Sequence, residues 1–151
     1  MPMTLSGTTG IVQPTAAAPA FSAYQSSAQT LSTATVTKIQ LQTEEFDTNN
    51  NFDNASNYRF TPTVAGYYQI NAQITVSVSA SLIITYIYKN GSSYKQANSS
   101  TSSLSSNSIS TVVYLNGSTD YIELYGYLGA GQALNANVFA TWLNGAMVRS
   151  A

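Results

Sequence analysis

The densest group of potential oxygen ligands is Glu44-Glu45-Phe46-Asp47-Thr48-Asn49-Asn50-Asn51-Phe52-Asp53-Asn54. Asp47, Asn49, Asn51 and Asp53 stand at the alternate positions from which short side chains wrap a calcium ion. The pattern then breaks. Phe52 occupies the place where the sharp turn needs glycine, and Tyr58 the place of the bidentate glutamate. The expectation is a solvated surface loop and no cofactor, with calcium as the alternative. No catalytic set presents itself either. The chain has no His and no Cys. That excludes Ser–His triads, cysteine nucleophiles, disulfides, and thiolate or imidazole metal sites. Glu44, Glu45, Asp47 and Asp53 crowd one segment, whereas a glycosidase sets two carboxylates across a sugar cleft. No GxGxxG or P-loop pattern occurs. Asn-x-Ser sequons at Asn54, Asn90, Asn98 and Asn116 are what chance gives in so Ser-rich a chain. The chain reads as a non-enzyme.

Composition points the same way. The 151 residues are 44% hydrophobic but only 7% charged, against about 25% charged in an ordinary domain. Ser, Thr, Asn and Gln take the place of charge, with 61 residues between them. Five basic residues against six acidic ones leave a net charge of −1, which gives no electrostatic footprint for nucleic acid. The length suits one domain with a real core. The longest apolar run, Leu82–Tyr88, is strand-sized, so no membrane insertion is expected. Met1-Pro2-Met3-Thr4-Leu5 has neither the basic nor the apolar region of a secretory signal.

The elements that must carry these residues have period two. In Gly66–Ser77, Tyr68, Ile70, Ala72, Ile74 and Val76 point one way and Tyr67, Gln69, Asn71, Gln73 and Thr75 the other. This is the pattern of a half-buried strand. Thr35–Thr43 alternates with Ile39 and Leu41 on one face. Leu82–Tyr88 is apolar on both faces and reads as covered on both sides. Asn90-Gly91 is a strong hairpin signal, with Ser92–Ala97 as the return strand. Asn98–Ser108 reads as a polar, low-complexity loop. Ile109–Leu115, Asp120–Tyr127 and Asn137–Gly145 complete the set, the last with Phe139 and Leu143 as expected core. No segment has helical period, so the fold class is all-β, a sandwich or barrel of short strands. Residues 1–18, uncharged and rich in Gly, Pro and Ala, read as an extended N-terminal arm, with the domain proper at 19–151.

These residues resemble the C1q and tumour necrosis factor family of jelly rolls. Pro19-Ala20-Phe21-Ser22-Ala23 is similar to its opening strand. Phe46-Asp47-Thr48 and the Asn-rich run after it follow a family segment. Tyr58–Ile70 carries the aromatic, phenylalanine, glycine and tyrosine spacing of the family. Val113–Gly117 with Asp120–Leu124 resembles a later strand pair, and Phe139 and Leu143 the closing strand. The turn after Gly117 is longer by Ser118 and Thr119, Ala140 and Thr141 replace a small-glycine step, and residues 1–18 carry no Gly-X-Y repeat. The resemblance implies a C1q/TNF-like jelly-roll sandwich of about ten antiparallel strands that assembles as a homotrimer. Tyr67, Tyr86 (or Tyr88), Tyr121, Tyr125 and Tyr127 are the expected trimer interface, because tyrosine is enriched where an apolar body meets a polar partner.

Two functional readings follow. In the first, the protein sits on a virion surface, that of a phage, as a capsid decoration (cement) protein. Its arm, through Leu5, Ile11, Val12 and Pro14, clamps the major capsid protein and the jelly roll is exposed. In the alternative it is the head of a tail fibre, joined to the fibre shaft and recognising a host glycan or protein. Asn98–Ser108 and Gly126–Leu134 would then line the recognition surface, with Tyr125, Tyr127 and Trp142 as candidate stacking residues, although strand packing is the preferred reading of Trp142.

Overall fold

The computed structural model describes residues 4–6, 10–12 and 18–151, the first two segments and residues 101–102 by backbone only. In chain order the strands are β1 (Thr4–Ser6), β2 (Gly10–Val12), β3 (Ala20–Tyr24), β4 (Thr30–Leu31), β5 (Thr37–Lys38), β6 (Thr43–Asp47), β7 (Phe52–Asp53), β8 (Arg59–Phe60), β9 (Gly66–Lys89), β10 (Ser92–Leu115), β11 (Ile122–Leu128), β12 (Gln132–Ala133) and β13 (Trp142–Ser150). No helix occurs among the described residues.

Two layers form because β9 and β10 each run through both. In the first half of β9 the even residues Tyr68 to Val76 are buried. Ser77, Val78, Ser79 and Ser81 are exposed with Ala80 buried among them, and from Ile83 onward the odd residues Ile83, Thr85 and Ile87 are buried. Strand alternation cannot change phase without such a break, and the break is where β9 passes from one layer to the other. The front layer is ordered β6-β3-β13-β9-β10, using the early half of β9 and the late half of β10. The back layer uses the remaining halves: β10 and β11 flank β9, and β5 and β8 lie on the far edge of β11, with β7 beyond β8. Every pairing among these strands is antiparallel.

The layers meet over an apolar core. Phe21 and Tyr68 from the front layer join Phe52 and Phe60 from the back, with ring centroids 4.1 Å apart for Phe21–Phe60 and 5.6 Å for Phe60–Tyr68. The Tyr68 hydroxyl donates to the Val64 carbonyl at 2.6 Å, and burial pushes its pKa up to about 12. Farther along, Ile74 faces Leu31, Ile39 and Gly126, whose missing side chain leaves room for the Ile74 methyl.

Both turns expected at Asn-Gly form, the first as the β9–β10 hairpin and the second as the link from β10 in the front layer to β11 in the back layer. Asn90 and Gly91 have φ of 54° and 74°, the left-handed pair that matches strand twist. At the second turn the Asn116 Oδ1 accepts from the backbone of Ser118, Thr119 and Asp120, which accommodates the two extra residues. Asp120 ties the two turns together: it accepts from the Asn90 side chain at 2.7 Å and from the Asn116 backbone at 3.1 Å, and pairs with Lys89 at 2.9 Å.

Four expectations are corrected. Asn98–Ser108 is no loop: β10 continues through it, with Asn98, Ser99 and Ser100 opposite Ile84, Ile83 and Leu82. Asn107 is the reason. It is buried, donates to the carbonyls of Ala97 and Ile83, and accepts from the Ser99 hydroxyl. Leu82–Tyr88 is covered on one side only, since Leu82, Ile84, Tyr86 and Tyr88 are half-exposed. Phe139 is 72% exposed rather than core. A turn closed by Ala140 N–H donating to Asn137 O precedes β13, which sends Ala140 and Thr141 inward and Phe139 out. Thr35–Thr43 is not one strand. Thr37–Lys38 pairs with β11 and Thr43 opens β6 opposite Tyr24, with unpaired residues between, yet Ile39 and Leu41 are fully buried as foreseen.

Candidate interaction surfaces

The outer face of the front layer is a grid set by register. One row runs Phe46, Ser22, Asn144, Asn71, Ser110 across β6, β3, β13, β9 and β10. On one side of it lies the row Tyr24, Trp142, Gln73, Ser108. On the other lie Ala20, Ala146, Gln69, Val112 and, beyond them, Tyr67 beside Tyr114. No charged residue stands on β3, on β10 from Ser106 onward, on β9 before Ser77, or on β13 before Arg149. Charge enters only at the rim, through Glu44, Glu45 and Asp47 on β6 and through Arg149.

The centre of the grid is a hydrogen-bonded amide patch. Asn71 Nδ2 donates to Asn144 Oδ1 at 3.1 Å. The Ser110 hydroxyl donates to Asn71 Oδ1 at 2.8 Å, and Gln69 Nε2 reaches both Ser110 Oγ and Asn71 Oδ1. Shallow depressions of about 360 and 450 Å³ lie on either side of Asn71, one floored by Gly145 and edged by Phe46, the other edged by Trp142. Around this patch, Phe46, Tyr67, Val112, Tyr114, Phe139 and Val148 are exposed apolar side chains. The polar residues of β9 were legible as the outer half of an alternating strand. Asn144 and Ser110 were not, because only pairing puts them beside Asn71.

The back layer presents a different surface. Tyr121, Glu123, Tyr125 and Tyr127 alternate along β11 and its entry, and Tyr125 sits opposite Tyr86. Tyr88 stacks on Tyr125 with centroids 4.0 Å apart and meets Tyr86 edge-on. The guanidinium of Arg59 lies 4.4 Å from the Tyr121 ring centroid. Beneath these rings Glu123 is buried and paired with Lys38, its Oε2 having no partner among the described residues. Burial pushes the Tyr86 and Tyr125 hydroxyls above the usual phenol range, aided by Tyr88 for Tyr86 and by Glu123 for Tyr125.

The tyrosines expected at the trimer interface lie on two different layers. Tyr86, Tyr121, Tyr125 and Tyr127 share the back layer. Tyr67 lies on the front layer against Tyr114, because β9 changes layers between Tyr67 and Tyr86. Of the arm residues, Leu5 stands opposite Ile11 and Thr4 opposite Val12 in an antiparallel β1–β2 pair, in place of a single extended thread. Pro14 lies outside the described residues.

The calcium-like loop spends its oxygens on itself. Asp47 accepts from the backbone of Asn49 and Phe52. Asp53 accepts from the backbone of Ser56 and Ala55 and from the Asn57 side chain, which hold its carboxyl down to about 2. No group of three carboxylates able to hold a metal ion occurs among the described residues.

No protein-family profile and no curated protein matches the chain by sequence. Solved structures do match in shape. The globular domain of zebrafish complement 1qA protein is 18% identical, with a TM-score of 0.67 over 88% of this chain and 99% of that one. Murine APRIL is 12% identical, with a TM-score of 0.67 over 87% and 99%. The PRD1 vertex protein P5 is 15% identical, with a TM-score of 0.63 over 96% of this chain and 81% of that one. At such identities the likeness establishes the fold, a jelly roll of the C1q and tumour necrosis factor type.

Proposed function

We propose that this chain is a non-enzymatic structural protein of a virus particle: a homotrimeric capsid decoration protein that clamps neighbouring subunits of the major capsid protein through residues 1–18 and exposes its jelly roll on the virion surface. The observation that carries self-association is the front face, with charge confined to its rim and with exposed aromatic and aliphatic side chains. Interface centres are depleted in charge and enriched in aromatic residues, and surfaces of this kind mark association sites. The proposal keeps Tyr67 at the trimer interface. It leaves Tyr86, Tyr121, Tyr125 and Tyr127 facing outward, where seven of the eleven charged residues also lie, from Lys38 and Asp53 to Glu123. Virion placement draws support from the fold shared with the PRD1 vertex protein P5. Binding only to the assembled shell would stabilise it by mass action.

The test compares the full chain with one lacking residues 1–18, each incubated with purified capsids and pelleted. Both chains should be trimeric, and only the full chain should pellet with capsids. A truncated chain that still pellets would remove the arm from the clamp. The tyrosine cluster of the back layer favours a second reading, a tail-fibre head that recognises a host glycan or protein. That reading predicts binding to host cells, weakened by Tyr127→Ala, by a full chain that ignores capsids.

A further inference from the structure

The front face is unusual in where it is polar. Its exposed apolar groups lie toward the two ends and the rim, with Tyr67, Val112, Tyr114 and Val148 at one end and Phe139 with half-buried Trp142 at the other. The row between them, Ser22, Asn144, Asn71 and Ser110, is entirely polar. We propose that this amide row is the specificity element of self-association, buried against a second copy of this chain and fixing how many copies join and in what register. The inference rests on the reading of the front face as the self-association surface.

Three observations argue for a second copy as the occupant. The strands at the centre of the face, β3, the early half of β9, the late half of β10 and β13 before Arg149, carry no charge, and the carboxylate at the row's edge, Glu45, already accepts from the Ser22 hydroxyl at 2.7 Å, so a charged partner finds little complement there. The row also keeps matched spare capacity. Gln69 Oε1 is a free acceptor and Asn144 Nδ2 a free donor, neither having a partner among the described residues, while Asn71 has both its Oδ1 and Nδ2 engaged. A surface that offers one donor group and one acceptor on the same patch can satisfy a copy of itself. Finally, the surface is shaped for itself: depressions of about 360 and 450 Å³ flank Asn71, and Phe46 and Phe139 protrude nearby.

The physical logic is that of a polar layer in an otherwise apolar interface. Burying amides costs free energy unless they find partners, so every docking geometry that misaligns them is penalised. A hydrophobic row would bind more tightly and accept several geometries, since apolar contact is not directional. Buried polar residues are known to fix register and oligomer number in this manner. A homotrimer needs a rotation that closes, and a contact free to slip can extend into open chains instead.

The experiment uses the full chain and the double variant Asn71→Leu with Asn144→Leu. Both positions lie on the outside of the layer, and circular dichroism with a thermal melt checks that the fold is kept. Ser32→Leu serves as a control for added surface apolarity elsewhere. Sedimentation velocity over a hundredfold range of concentration reads stoichiometry and dissociation. The expected result is a single homotrimer for the parent and for Ser32→Leu. The double variant should associate at least tenfold more tightly, yet distribute among several stoichiometries. A double variant that remains one homotrimer, whether tighter or unchanged, overturns the inference and leaves the proposed trimer standing. A double variant that becomes monomeric overturns it also, because the row would then supply affinity. A monomeric parent overturns the underlying reading of the front face.

Discussion

Replacing Asn107 with alanine tests the correction that most changes the topology. The Asn107 side chain donates to Ala97 O at 2.7 Å and to Ile83 O at 3.3 Å, and accepts from Ser99 Oγ at 3.0 Å, in a site only 8% exposed. A typical hydrogen bond contributes about 1 kcal/mol net, and a buried polar group left without a partner costs about 1–3 kcal/mol. The contact to Ile83 is long and contributes least. Asn107→Ala should therefore destabilise the fold by about 2–4 kcal/mol, which for a domain of this size is a fall in Tm of roughly 10 °C. Urea unfolding at one fixed protein concentration measures it. A loss below about 0.5 kcal/mol, the range of ordinary surface changes, would refute the buried-anchor role. Asn107→Asp gives the sign. A carboxylate has no N–H for either carbonyl, and burial raises a carboxyl's folded pKa above its unfolded value near 3.9. The variant's penalty should be smallest below pH 4, where the protonated group can donate, and should grow as pH rises through the folded pKa.

Three further outcomes follow from the same geometry. Asp120 is held below the usual carboxylate range by the Asn90 side chain first, and also by Lys89 and the Asn116 backbone. Its stabilisation is present at neutral pH and lost as pH falls below about 4; Asp120→Ala should cost about 1–2 kcal/mol at pH 7 and abolish that part of the acid sensitivity, and equal pH profiles for parent and variant would count against the two-turn clip. Gly117 has φ of 71°, and an added Cβ would lie 2.3 Å from the Ala65 nitrogen, so Gly117→Ala should cost more than about 2 kcal/mol in chemical unfolding, and a neutral result would contradict the contact with Ala65. Because Asp47 and Asp53 already accept from their own loops, a chelator should leave Tm unchanged; a fall of several degrees, restored by calcium, would overturn that assignment.

The alternation in Gly66–Ser77 was enough to place Tyr68 through Val76 in the core, and both Asn-Gly turns were readable, because each signal is local. The Ser-rich stretch within β10 was not. Its composition is that of a loop, and it is held in strand by partners in β9 and by Asn107, whose role depends on carbonyls at Ala97 and Ile83 that no spacing rule connects. Phe139 misled for a related reason: it is a good strand residue, but the chain turns at Asn137–Ala140 before β13 begins. The interaction surfaces were legible only in part. Tyrosines on alternate positions were visible, but whether Tyr67 and Tyr86 face the same way depends on the phase change between Val76 and Ile83. Asn144 joined Asn71 only through the β13–β9 register.

The ribbon formed by β9 and β10 has a kinetic consequence. Its paired residues are 3 apart at Ser92–Lys89 and 49 apart at Leu115–Gly66, so each new pair lengthens an already closed loop by only a few residues. Closure entropy rises slowly along such a path, whereas joining β3 to β13 directly spans most of the chain. The ribbon can zip from Asn90-Gly91 outward, laying down a central strand of each layer before either layer is complete. Pulsed hydrogen exchange during refolding should protect amides near that turn first, and early protection of the β3–β13 pairs instead would reverse the order. Since one continuous ribbon seeds both layers, neither has a route to its final form that is independent of the other.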